Sequence, residues 1–166
     1  MPNREIRYIY NNTIKEWFDI KIRAVDFSGL YKAITDGNTE VFENFLKKHL
    51  RESISYLDSA ESFYHGFLLG LLSGINDYEM LSNRESGDGR PDILLKPYDE
   101  KQSVIIIEIK CVKKFNEMEN MCRKALEQIE KNHYAAGVFD EGYISVKKYG
   151  ICFCKKSCMV KLKKED

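Results

Sequence analysis

Gly87-Asp88-Gly89-Arg90-Pro91-Asp92-Ile93-Leu94-Leu95-Lys96-Pro97, followed shortly by Val104-Ile105-Ile106-Ile107-Glu108-Ile109-Lys110-Cys111, is the stretch from which the fold can be read. Glycines and a proline mark a turn that leads into a short apolar strand over Asp92–Leu95. A second turn over Pro97–Gln102 leads into the strongest strand of the chain, Ser103–Cys111. That strand is β-branched and apolar on both faces, as in the middle of a sheet covered on both sides. Two acids and a lysine interrupt these strands where hydrophobic residues are expected, and such local breaks of a structural rule mark function.

The outward reading gives helices before this pair of strands and a helix after it. Helical spacing runs over Asn3–Ile22, with Trp17 and Phe18 on the apolar stripe, and over Phe27–Thr35, ended by the turn Asp36-Gly37-Asn38. Thr39 caps a helix to about Ser53, and Ser59-Ala60 opens a strongly apolar one from Glu61. On that helix Glu61 and His65 are four apart and project from one face. Tyr78–Glu85 is strand-like. Asn116–Asn132 is an amphipathic helix with Met118, Cys122, Ala125 and Ile129 facing the sheet and Gln128 beside that stripe. Ala135–Phe139 reads as a short strand, Tyr149–Cys154 as another, and Cys158–Leu162 as a lysine-flanked edge strand.

The chain has 166 residues, enough for one domain with its own core, divided as a helical extension (1–57) and an α/β core (58–166). With 43% hydrophobic and 31% charged residues it is globular rather than disordered. No apolar run approaches the roughly 18–20 residues that span a bilayer, and Met1–Arg7 has no signal-peptide character, so a cytoplasmic location without a membrane partner is expected. The five cysteines have neither disulfide-scaffold nor zinc-site spacing and read as small buried hydrophobes. Net charge is zero but divided: residues 1–100 hold 12 Lys/Arg against 17 Asp/Glu, residues 101–166 hold 14 against 9. The basic excess, which includes Lys113 and Lys114, permits a face for a phosphate backbone; lysines solvated on outer strand faces would give the same count.

Residues two apart on a strand share a face, so Glu108 and Lys110 point together. If the Asp92 strand pairs with theirs, two carboxylates come side by side, repel, and invite a divalent cation such as Mg²⁺, which one or two carboxylates suffice to hold. Lys110 would then hold a water or a phosphate oxygen and stabilise charge that develops on an attacked phosphodiester. A buried acid–lysine pair serving only structure is the competing reading of the same trio.

Pro91-Asp92, a spacer, and Glu108-Ile109-Lys110 resemble the signature of the PD-(D/E)XK nuclease superfamily, and the helix, three strands, helix, strand order resembles its core. The likeness extends to Glu61-Ser62-Phe63-Tyr64-His65-Gly66, Gly87–Asp92, Ala125–Ile129 with Tyr134, and Tyr149–Phe153. In these features the chain is similar to the nuclease-like domain found C-terminal to AAA-ATPase-like modules in many bacterial proteins. Pro2-Asn3-Arg4-Glu5 resembles the segment just after that ATPase part, although no G-x-x-x-x-G-K-[ST] loop occurs. The resemblance implies an α/β, restriction-endonuclease-like fold: a mixed central sheet flanked by helices in α-β-β-β-α-β order. It implies an Mg²⁺-dependent (or Mn²⁺-dependent) nuclease acting through metal-activated water on nucleic acid, DNA ahead of RNA. Asp92 and Glu108 would be metal ligands with Glu61 as a supplementary one, Lys110 would position the water, and Gln128 would be the polar helix residue aimed at the site. His65 would orient Glu61 or contact the nucleic acid, and Arg90 would touch a phosphate or simply pair with an acid. A homodimer, or an AAA-ATPase-like partner module, would be the assembly. The alternative is a non-catalytic nucleic-acid-binding or regulatory module that retains the fold.

Overall fold

The computed structural model describes Glu16, Ile20 and residues 24–53, 61–82 and 89–165. The expected helix over Asn3–Ile22, the Ser59-Ala60 cap and the Ser86–Asp88 part of the glycine turn lie outside the described residues. Among those described, the order is α1 (Ser28–Asp36), α2 (Thr39–Ser53), α3 (Glu61–Leu72), β1 (Tyr78–Ser82), β2 (Ile93–Pro97), β3 (Val104–Cys111), α4 (Met118–Lys131), α5 (Tyr134–Asp140), β4 (Val146–Cys154) and β5 (Ser157–Glu165). A single 3₁₀ turn, Phe115–Glu117, opens α4.

The strands form one mixed sheet in sequence order, with β3 in the middle. The β1–β2, β2–β3 and β4–β5 pairs are antiparallel, and β3 and β4 are parallel. A parallel pair cannot be joined by a tight turn, so α4 and α5 serve as the crossover. The alternation of β3 sorts its residues between two cores. Ile105, Ile107 and Ile109 pack with α1, α2 and α3 on one face. Val104 and Ile106 pack with Ile129 of α4 and with Ala135 and Val138 of α5 on the other. Burial on both faces is what the continuous apolar run of β3 predicts.

Local chemistry sets the ends of the elements. Gly37, at φ 81°, caps α1 with its N–H on the Ala33 carbonyl, the left-handed geometry that favours glycine. Asn38, rather than Thr39, caps α2: its Oδ1 accepts the Val41 N–H at 3.1 Å. Tyr149 donates its buried hydroxyl to the Ile34 carbonyl at 2.6 Å, which ties α1 to the sheet.

Two expectations are corrected. Ala135–Phe139 is not a strand but lies within helix α5. His133, at φ 53°, is the N-cap of α5 after α4 has ended at Lys131, and Ala135 and Val138 then face the core three residues apart, a helical interval. The sheet position beside β3 is filled by β4, so the chain runs α-β-β-β-α-α-β-β from α3 onward. Asp92 is not part of a strand either; it occupies the bend just before β2.

Candidate active site

Ile93 pairs with Ile107, so the bend at Asp92 lies beside Glu108 and Ile109. Alternation carries Ile93 into the core beneath α1–α3, and Asp92 consequently falls on the α4 side, the side of Glu108 and Lys110. Asp92 Oδ2 accepts the backbone N–H of Ile109 at 2.7 Å. Its carbonyl is held from the other direction by His65 Nε2 on α3, at 3.1 Å, and Ser82 Oγ also reaches that nitrogen, at 3.0 Å. A ring carrying its proton on Nε2 donates to both oxygens. His65 is therefore buried and anchors the backbone of Asp92, instead of orienting Glu61 or offering itself to a nucleic acid.

Glu108 is 3% exposed. Its Oε1 receives the Lys110 ammonium at 3.3 Å, a long contact, while Oε2 is buried with no hydrogen-bond partner. Burial in this setting, reinforced by the Asp92 carboxylate, pushes its pKa up to about 7 against the partial relief that Lys110 gives. Lys110 makes its short contact elsewhere: Nζ donates to Gln128 Oε1 on α4 at 2.6 Å. The ammonium thus has fixed partners on two elements and a side chain 20% exposed, so it faces solvent at one end of a defined cradle.

Gln128 reaches Lys110 because α4 lies unusually close to β4. A Cβ placed on Gly150 would come within 2.5 Å of the Cys122 carbonyl, 3.1 Å of Leu126 and 3.2 Å of Ala125. Only glycine fits there. Gly150 pairs with Glu108 in the parallel register, so the close approach lies directly beside the acid.

The structure brings together Asp92, Glu108, Lys110 and Gln128, and it does not bring Glu61 into that group. Glu61 is exposed at the start of α3 and raises the pKa of the Cys111 thiol after burial, the larger cause. Cys111 packs with the α1–α3 core, on the face of β3 opposite Glu108. Arg90, Lys113 and Lys114 are exposed on the connections flanking the site. What sequence reading missed is the support behind Asp92: the Ile109 N–H, and the His65–Ser82 contact. A backbone donor leaves no trace in side-chain identity, and the only signal for His65 was its position one turn beyond Glu61.

A family model for the PD-(D/E)XK nuclease superfamily matches residues 59–163, from the start of α3 almost to the end of β5. The chain belongs to the PD-(D/E)XK nuclease superfamily. No curated protein sequence matches it. The mixed sheet between helical layers is accordingly a restriction-endonuclease-like fold.

The residues of this superfamily member fit a divalent cation. Among the described residues no group of three or more His, Cys, Asp and Glu could hold a metal ion. Asp92 and Glu108 would be the protein donors, and two carboxylates are enough for an ion that keeps most of its waters. An unpaired buried oxygen on Glu108, next to a second acid that raises its pKa, is the electrostatic conflict such an ion resolves. No described helix is long and apolar enough to cross a membrane.

Proposed function

We propose that this chain is a divalent-cation-dependent nuclease that hydrolyses phosphodiester bonds, in DNA ahead of RNA. The observation that carries this reading is the placement of Lys110: its ammonium is fixed by Gln128 at 2.6 Å and leans on Glu108 at 3.3 Å, beside a carboxylate oxygen with no other partner. An ion pair built only for structure would satisfy both oxygens of the acid. Asp92 and Glu108 would hold Mg²⁺ or Mn²⁺, which when bound neutralises the acids, polarises the phosphate and lowers the pKa of a water. Lys110 donates a charge-assisted hydrogen bond to a phosphate oxygen or to the attacking water, and so stabilises negative charge as it develops. Gln128 keeps that ammonium aimed, and His65 with the Ile109 N–H keeps Asp92 from turning away.

Incubation with single- and double-stranded DNA and RNA in Mg²⁺ or Mn²⁺, alongside Asp92→Ala and Lys110→Ala, tests the reading. Cleavage by the wild type, lost in both variants, is the expected result. Equal cleavage by all three, or none by any, overturns it. Calorimetric metal binding that disappears in Asp92→Ala, without cleavage by the wild type, would instead establish a binding module that has kept the fold.

A further inference from the structure

We propose that Phe115 is a base-stacking platform for single-stranded nucleic acid, flanked by lysines that follow its backbone into the site; this rests on the nuclease reading and names its substrate class. Phe115 opens the 3₁₀ turn that follows β3 and is 57% exposed, although it is fully aromatic and belongs to no core cluster. It lies a few residues beyond Lys110, on the connection that leaves the site. A large ring left in water beside a catalytic centre is an available surface on which a base can stack.

The β4–β5 turn supplies the second half. Lys110 pairs with Cys152 and Cys111 with Phe153, so the turn at Lys155-Lys156 projects from the same end of the sheet as the segment after Lys110. At ~3.3 Å per residue it lies about 10 Å beyond Lys110 along the strand direction. Lys155 Nζ sits over the Phe115 ring at 5.8 Å from its centroid, within cation–π range. The fold fixes that position. Lys155 has a positive φ of 53°, a strained conformation for lysine, and the Tyr64 hydroxyl of α3 donates to its carbonyl at 2.8 Å. Tyr64 is itself fully buried and stacked on Phe153, 4.5 Å between centroids and 9° between planes. The turn's backbone is thus tied to the core through Tyr64, which keeps Lys155 at this end of the sheet.

Charge agrees with the geometry. Lys113 and Lys114 immediately precede Phe115 in the chain, Lys155 lies over its ring and Lys156 follows in the same turn, and Glu117 is the acid of this segment. Exposed lysines attract either form of nucleic acid, whereas a stacking ring needs a base free of its partner, so the combination selects single strands. Tyr98 provides an internal comparison: it is 72% exposed at the opposite end of the sheet, after β2, where no active-site residue lies.

Fluorescence anisotropy with labelled oligo-dT, oligo-rU and a duplex, in EDTA so that nothing is cut, tests the inference. Phe115→Ala and Phe115→Leu are expected to lower single-strand affinity about tenfold, the loss of one stacked base, while duplex affinity and the Tyr98→Ala variant stay within about twofold of the wild type. The two oligomers show whether DNA or RNA takes the platform. Changing the four lysines to glutamine would flatten the salt dependence by about 0.7 in slope for each phosphate no longer neutralised. A Phe115→Ala loss equal on duplex and single strand, retention of affinity in Phe115→Leu, or no loss at all overturns the platform. Binding is read without metal, so a wild type that never cleaves refutes the nuclease reading while leaving this result legible. An active nuclease whose Phe115→Ala binds normally refutes only the platform.

Discussion

Replacing Glu108 with glutamine should make the metal-free protein more stable, and only at high pH. The acid is 3% exposed, has one unpaired buried oxygen and faces Asp92, so its pKa stands at about 7 rather than the ordinary 4.5. A carboxyl raised on folding favours the native state while it is protonated. That contribution is complete below the unfolded value and is lost as pH rises through the folded one. A difference of roughly 2.5 pH units at about 1.4 kcal/mol each gives a ceiling of about 3.5 kcal/mol lost by the wild type at alkaline pH. Glutamine keeps the shape of the protonated acid and cannot ionise, so it escapes the loss. Urea denaturation of both proteins in EDTA should show similar midpoints near about pH 5 and a gap opening by about 2–3 kcal/mol at about pH 8.5. Mg²⁺ at about 100 times its Kd should restore about 3 kcal/mol to the wild type and little to Glu108→Gln. A gap that is constant between the two pH values would show that the acid is not electrostatically strained, and a cation between Asp92 and Glu108 would then have no conflict to resolve.

Gly150→Ala should destabilise the protein by about 1–3 kcal/mol in urea titrations, because its methyl meets the Cys122 carbonyl, and cleavage should fall with it as α4 shifts Gln128 away from Lys110. His65→Ala should weaken Mg²⁺ binding by calorimetry about 10- to 100-fold without touching a ligand, since the Asp92 carbonyl loses its anchor. Lys148 is 1% exposed between Glu130, at 3.0 Å, and Glu165. Lys148→Met should cost less than about 1 kcal/mol, whereas Glu130→Gln with Glu165→Gln should cost about 3 kcal/mol by leaving the ammonium buried without a carboxylate; urea midpoints in the reverse order would refute this.

The strands that carry the site were legible because their signals are strong and local. Ile105, Ile106 and Ile107 mark a strand buried on both faces, and the acids and lysine that break the pattern are visible against that background. That Gln128 is aimed at the site was an expectation of the family resemblance, not of spacing, and its contact with Lys110 was not foreseen. Ala135–Phe139 was misread as a strand because a short apolar run has the same composition in a strand and in a helix, and His133 in left-handed geometry opens the helix instead. The expectation of Glu61 as a supplementary ligand came from the family resemblance, and the parity of β3 sends its neighbour Cys111 to the opposite face from Glu108. Side-chain chemistry writes itself into sequence; the distance between two layers, here set by Gly150, is written in a single missing methyl.

The parallel pairing of β3 with β4 has a consequence for how the molecule is made. The hairpin of β2 and β3 can form as soon as both have been synthesised, and it already contains Asp92, Glu108 and Lys110. At that stage β3 is an edge strand open to water, and Glu108 is an ordinary carboxylate. Its burial and the second partner of Lys110 come only when the crossover has closed, with α4 laid down and Gly150 paired beside the acid. Non-local parallel pairing is among the slower events in folding. A chain still emerging from the ribosome therefore carries Asp92, Glu108 and Lys110 without their final surroundings, which only the completed sheet supplies.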